Sequence, residues 1–138
     1  MGLALYLGVF GGIIAVDQLS KRWAMHALPV ADVGAAAGIT WTRTTCRALE
    51  RLGRPAAALL WLLVGGGGVA LCLGAGEGRL AALGGIAAWA AAASNLGEWW
   101  RHGTVVDWMP LWPRSVTNVA DVVLILGSAQ LAVWIAAS

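Results

Sequence analysis

Four long apolar segments constrain this chain more than anything else in it. They run from about Leu3 to Trp23, Pro55 to Ala75, Leu80 to Leu96 and Asn118 to Ala137. The first holds charge only in its last two turns, at Asp17, Lys21 and Arg22; the second and third hold none; the fourth holds Asp121 alone. Each is near the ~20 residues that cross ~30 Å of hydrocarbon at 1.5 Å per residue. A backbone in lipid must satisfy its own hydrogen bonds, and these uninterrupted runs have the pattern of helices rather than alternating strands. The expected fold is an all-α membrane protein: four transmembrane helices in one integral membrane domain spanning 1–138. Only 12% of the residues are charged, against roughly 25% in soluble domains. A net charge of +2 without a long basic run excludes a nucleic-acid stripe.

The first segment lacks a basic n-region and runs straight into the charged turn Asp17 to Arg22, so it is expected to be a permanent helix rather than a cleaved signal. No lipid-attachment signal is expected at the N-terminus. Cys46 falls in a polar loop and Cys72 in an apolar segment, a poor disulfide pair.

The connections set the topology. Helices two and three are joined by only Gly76-Glu77-Gly78-Arg79, a tight antiparallel hairpin. The two longer loops, about 26–54 and 98–114, must then share one side of the membrane. That side collects Trp23, Trp41, Trp99, Trp100, Trp108 and Trp112, as an interfacial aromatic belt would. Gly38 to Thr44 alternates β-branched or aromatic residues with polar ones, and Thr104 to Asp107 forms a second strand-like stretch. The run Gly65 to Gly68 reads as close helix packing, with a kink in helix two as a further consequence.

Polar residues in the apolar frame are the functional candidates, because a carboxylate at the edge of hydrocarbon costs several kcal/mol unless paired or hydrated. Asp17 and Lys21 stand i, i+4, a favourable ion pair. The plain reading has Lys21 snorkelling to the headgroups and Asp17, deeper, supporting the backbone of a neighbouring loop. Asn95 and Glu98 share one helix face at i, i+3, and Asn118 and Asp121 repeat that spacing. Asn118 suits an N-cap and Asp121 a charge in the first helical turn. No helix start claims Asp107. Asp107 and Asp121, close in sequence at a membrane boundary, are therefore read either as local structural groups or as a carboxyl pair for acid–base chemistry.

Three blocks then match a known pattern. Asp17-Gln18-Leu19-Ser20-Lys21 after the first helix resembles the D-Q-x-x-K signature of signal peptidase II, the bacterial lipoprotein signal peptidase. Asn95-Leu96-Gly97-Glu98 followed by Gly103-Thr104-Val105-Val106-Asp107 resembles that family's G-N-x-x-D-R…G-x-V-V-D-F block without gaps, and Asn118-Val119-Ala120-Asp121 its N-x-A-D block. The resemblance implies an intramembrane aspartyl endopeptidase with Asp107 and Asp121 as catalytic dyad. Asn95 and Asn118 would orient dyad or substrate, Asp17 would support the site, and Lys21, Glu98 and Arg43 would be supporting positions. It implies cleavage of a diacylglyceryl-modified prolipoprotein on the N-terminal side of its lipidated cysteine. It also implies a small β-cradle in the loop after helix one, no metal or organic cofactor, membrane lipid as surroundings and a monomer. In a bacterial plasma membrane both termini would be cytoplasmic and the active site near the outer face.

The chain departs from that pattern at several positions. Glu98-Trp99 stands where the family has D-R, Thr117 where it has an aromatic, and Arg43-Thr44-Thr45-Cys46-Arg47-Ala48-Leu49 where it has R-N-x-G-A-A-F. Eight of nine Lys/Arg lie on the functional face, which the positive-inside rule alone would make cytoplasmic. The altered loop also suits a catalytically silent or specialised relative that binds lipoprotein or an inhibitor. Buried acids alone would suit a small four-helix transporter subunit. His26 and His102 lack ligand spacing, and neither a Gly-x-Ser-x-Gly elbow nor a P-loop occurs.

Overall fold

The computed structural model describes residues 3–30, 39–74, 79–112 and 115–137. Helix α1 (Leu3–Ala27) runs a turn past Trp23 and stops before Pro29, whose ring disfavours helical geometry in the residue before it. A short helix α2 (Arg47–Leu52), unforeseen within the 26–54 loop, is closed by Gly53 at φ 78°, whose N–H donates to the Leu49 carbonyl at 3.0 Å. Pro55 then sits in the first turn of α3 (Arg54–Trp61), where its missing N–H has no intrahelical partner to lose. The run continues through a π-helical turn (Leu62–Gly66) into α4 (Gly67–Gly74).

Helix α5 (Arg79–His102) is the spine: it packs against α1, α6 and the α3–α4 run. It continues through Glu98-Trp99-Trp100-Arg101, so the loop expected from residue 98 begins only after His102. Gly103, at φ 72°, ends the helix with its N–H on the Trp99 carbonyl at 2.7 Å. Trp99 is 5% exposed, packed inside rather than part of an aromatic girdle, whereas Trp100 is exposed. Helix α6 (Val119–Ala137) crosses α5 closely: a Cβ on Gly127 would stand 2.5 Å from the Gly84 carbonyl oxygen. Such contact between small residues lets membrane helices associate without large side chains.

Three helical stretches, Leu3–Ala27, Leu80–His102 and Val119–Ala137, are long and apolar enough to cross a membrane, and Arg54–Ala70 is a shorter apolar helix. Leu7 and Leu19 on α1 and Ile125, Leu126 and Val133 on α6 are exposed, an outer surface suited to lipid rather than water.

Strands β1 (Thr42–Thr44) and β2 (Val105–Asp107) pair antiparallel with Thr42 opposite Asp107. This joins the segments following α1 and α5, so both lie at one end of the bundle. An isolated bridge ties Val30 to Trp41. A second hairpin, β3 (Met109–Trp112) with β4 (Ser115–Thr117), was not expected from sequence. Gly38 and the turn at 76–78 lie outside the described residues.

The glycine run divides in two. A side chain on Gly65 would collide with the Trp89 indole, while Gly67 and Gly68 face open space. Close packing is therefore the role of Gly65, and the irregularity in the helix sits at the π turn that includes it.

Candidate active site

Asp107 ends β2, and Asn118 is the last residue before α6. The Asn118 amide links the two acidic positions. Its Oδ1 accepts the Asp121 N–H at 2.9 Å, the N-cap bond expected from sequence, while its Nδ2 donates to Asp107 Oδ1 at 2.7 Å. Because a backbone N–H is only a donor, it turns the amide so that the NH₂ must face Asp107. Asn118 is fully buried and Asp107 is 6% exposed.

Asp121, in the first turn of α6, has both carboxylate oxygens held. Asn95 Nδ2 donates to Oδ1 at 2.7 Å, and the Thr117 hydroxyl donates to Oδ2 at 2.9 Å. The Asn95 amide is oriented in turn by Lys21, whose ammonium donates to its Oδ1 at 2.6 Å. An ammonium has no acceptor, so only the NH₂ side of Asn95 is left for Asp121.

Lys21 does not snorkel. It is 1% exposed and ion-paired with Asp17 at 2.8 Å and Glu98 at 2.9 Å. Burying an ammonium is tolerable only with charged partners, and here two carboxylates from α1 and α5 surround it. Their other oxygens brace backbone. Asp17 Oδ1 accepts the Ala120 N–H at 2.9 Å, one of the unpaired donors at the start of α6, and Glu98 Oε1 accepts the Val106 N–H at 3.1 Å, one residue before Asp107. Ser94 donates to Asp17 Oδ2 at 2.6 Å. Asp17, Lys21, Asn95, Glu98, Asn118 and the two candidate acids thus form one connected network across α1, α5, β2 and α6.

Both acids line one cavity of about 620 Å³. Its polar end is Asn95, Asp107, Asn118, Asp121 and Thr44; the remainder is largely apolar, with Leu60, Trp61, Val64, Leu124 and Leu131 prominent. From Asn95 to Gly85 on α5 the cavity extends about 15 Å at 1.5 Å per residue. Burial pushes the Asp107 carboxyl above the usual carboxylate range. Hydrogen bonds from Thr44 and Asn118 oppose this, the Asp121 charge adds to it, and the Lys21 charge opposes it.

Arg43 stands apart from the cavity. It is exposed and donates to Thr104 Oγ1 at 3.2 Å, whereas its neighbour Thr44 lines the cavity. Strand alternation separates them. Thr44, Ser94 and Thr117 were not among the residues singled out from sequence as site members. The signals were present: Thr44 lies one strand position from Arg43, Ser94 adjoins Asn95, and Thr117 stands i−4 from Asp121.

A family model described as signal peptidase (SPase) II matches residues 9–137. Two solved structures described as bacterial membrane enzymes, determined by the in meso method at 1.9 and 2.3 Å resolution, share the fold. The first has a TM-score of 0.74 at 16% identity over 96% of this chain and 93% of its own; the second has 0.74 at 14% over 96% and 88%. No curated protein sequence matches the chain significantly.

Proposed function

The chain belongs to the signal peptidase II family, and on that premise we propose that it is an intramembrane aspartyl endopeptidase acting through Asp107 and Asp121. Its substrate in this reading is a prolipoprotein carrying diacylglyceryl on its lipobox cysteine, cut on the N-terminal side of that residue. The observation that carries the proposal is the shared cavity: two carboxyl groups at its polar end, each held by an asparagine, above a long apolar wall.

Two neighbouring carboxyl groups resist double ionisation and share a proton. Asp107, raised by burial, is the protonated member and donates to the scissile carbonyl oxygen. Asp121 accepts hydrogen bonds from Asn95 and Thr117, an arrangement suited to an ionised carboxylate, and takes the proton of the attacking water. The apolar wall receives the lipid-modified part of the substrate. Asn95, Asn118, Asp17, Lys21 and Glu98 hold the acids in place, and Arg43 braces the loop over them through Thr104.

The whole chain is read as one membrane domain. Arg54–Gly74 is the fourth membrane helix, and β1 with β2 forms the small cradle over the site. In this reading the site lies at the outer face of a bacterial plasma membrane with both termini inside, an orientation drawn from the motif resemblance and held against the charge bias of the loops. The enzyme is taken to act as a monomer.

The test is cleavage of lipid-modified prolipoprotein by purified protein in detergent, followed by mass. Wild type is expected to release the signal peptide, and Asp107→Asn and Asp121→Asn to lose about 10²–10⁴-fold in rate. Binding of a substrate-mimicking cyclic peptide with no turnover by wild type would instead identify a catalytically silent relative.

A further inference from the structure

Thr117 occupies the position where the family signature carries an aromatic residue, and it is attached to both sides of the site. Through its backbone it belongs to the β3–β4 hairpin: its carbonyl accepts the N–H of Trp108, the residue after Asp107, at 2.9 Å. Its hydroxyl donates to Asp121 Oδ2 at 2.9 Å. One residue thereby ties the chain beside Asp107 to the carboxylate of Asp121. It is 7% exposed and is not among the residues lining the cavity, so its link to the site runs through Asp121.

The geometry at Asp121 explains why this bond matters. With Asn95 on Oδ1 alone, the carboxylate retains rotation about its χ2, a broad and weakly restrained torsion. A second donor on Oδ2 fixes the carboxylate plane. An aromatic side chain carries no hydroxyl within this reach, so the bond belongs to this chain's own residue rather than to the signature. Threonine also suits the place: it is β-branched and stiff at χ1, which keeps its hydroxyl aimed along one direction.

We propose that Thr117 is a positioning residue of the dyad, fixing the Asp121 carboxylate relative to Asp107 and so setting the rate of the chemical step without contributing to substrate binding. The inference rests on the protease reading above.

The experiment is steady-state cleavage of lipid-modified prolipoprotein by wild type, Thr117→Val and Thr117→Ser, with thermal unfolding of each in detergent. A hydrogen bond to a charged group is worth enough that Thr117→Val should lose about tenfold or more in kcat, with KM within about twofold of wild type. Thr117→Ser, which keeps the hydroxyl, should recover most of the rate. If Thr117→Val fails to fold, Thr117→Cys replaces it, a weak donor of similar volume expected to fall between wild type and full loss. The proposal is overturned if the folded valine variant keeps wild-type kcat, if its loss lies in KM, or if serine fails to rescue. Wild type that cleaves nothing overturns the protease reading itself, a result distinct from a wild type that cleaves and a valine variant that matches it.

Discussion

The two ends of the cavity are built on opposite principles. At the polar end, α1, α5, β2 and α6 are cross-linked by ion pairs and hydrogen bonds of 2.6–3.1 Å running from Asp17 and Lys21 to Asn95, Glu98 and Asn118. At the apolar end, the α3–α4 run meets α5 through a tilted tryptophan pair, Trp61 and Trp89 with centroids 5.0 Å apart, and one hydrogen bond from Trp61 Nε1 to the Trp89 carbonyl at 3.1 Å. The backbone there bulges into a π turn beside a glycine notch. The proposed acid–base chemistry demands fixed positions, and the network holds both acids in place. In the proposed reading an acyl chain or signal segment demands only an apolar volume, so a wall of apolar side chains held by dispersion contacts suffices.

The sharpest way to break this contrast is at Lys21. Lys21→Met removes the cation that pairs with both Asp17 and Glu98 and leaves two buried carboxylates without a counter-charge. Breaking a buried ion pair from one side costs about 3–5 kcal/mol. The expected result is a large fall in thermal midpoint, with loss of cleavage because Asn95 is no longer oriented toward Asp121. A variant as stable as wild type would show that the network is not what holds the polar end together.

Lys21 also shows where sequence reading stopped. The apolar runs revealed the helices because lipid leaves the backbone few options, and the spacings Asn95/Glu98 and Asn118/Asp121 revealed shared faces because helical geometry is regular. Which way a long side chain turns at a helix end is decided by groups from other helices. Asp17 lies on the same helix, but Glu98 and Asn95 come from α5, so snorkelling and burial could not be told apart from α1 alone. The continuation of α5 through Trp99 and Trp100 was hidden for the same reason: a polar-aromatic run reads as an interface until a partner surface is there to bury it. The β3–β4 hairpin was obscured because Pro110 and an irregular register break strand alternation. Thr44 and Thr117, short side chains without charge, carry no signal until the acids they serve are placed opposite them.

At the apolar end the expected effects are smaller and opposite in sign at neighbouring glycines. Gly65→Ala sets a methyl against the Trp89 indole, which is hemmed by Trp61 and by Phe10 at 5.4 Å. Overpacking of this kind costs about 1–3 kcal/mol. Unfolding should show the loss, and kinetics a raised KM with kcat little changed. Gly67→Ala meets nothing within 4 Å and should stabilise the helix by up to about 1 kcal/mol. Equal effects at the two positions would mean that the glycine run acts as a uniform flexible segment rather than as one notch for one indole.

The smallest effect lies where the two ends meet, at Thr44. Its hydrogen bond favours the charged form of Asp107 and so works against the burial that raises that carboxyl; the Asn118 bond works the same way, the Asp121 charge adds to burial, and the Lys21 charge opposes it. In the proposed mechanism Asp107 must carry the dyad's proton, so activity falls at high pH as that proton is lost. The descending limb reports the pair rather than either acid alone, but a change confined to Asp107 still moves it in a defined direction. Thr44→Val removes an interaction that lowers the Asp107 pKa, which leaves it higher and keeps the proton to higher pH. The descending limb of the pH profile for kcat/KM should therefore shift upward, while the plateau rate changes by less than about tenfold, the scale of one ordinary hydrogen bond. A descending limb that stays put while the ascending limb shifts upward would reverse the assignment, making Asp121 the proton-bearing member. If neither limb moves, Thr44 shapes the cavity wall and not the acid beside it.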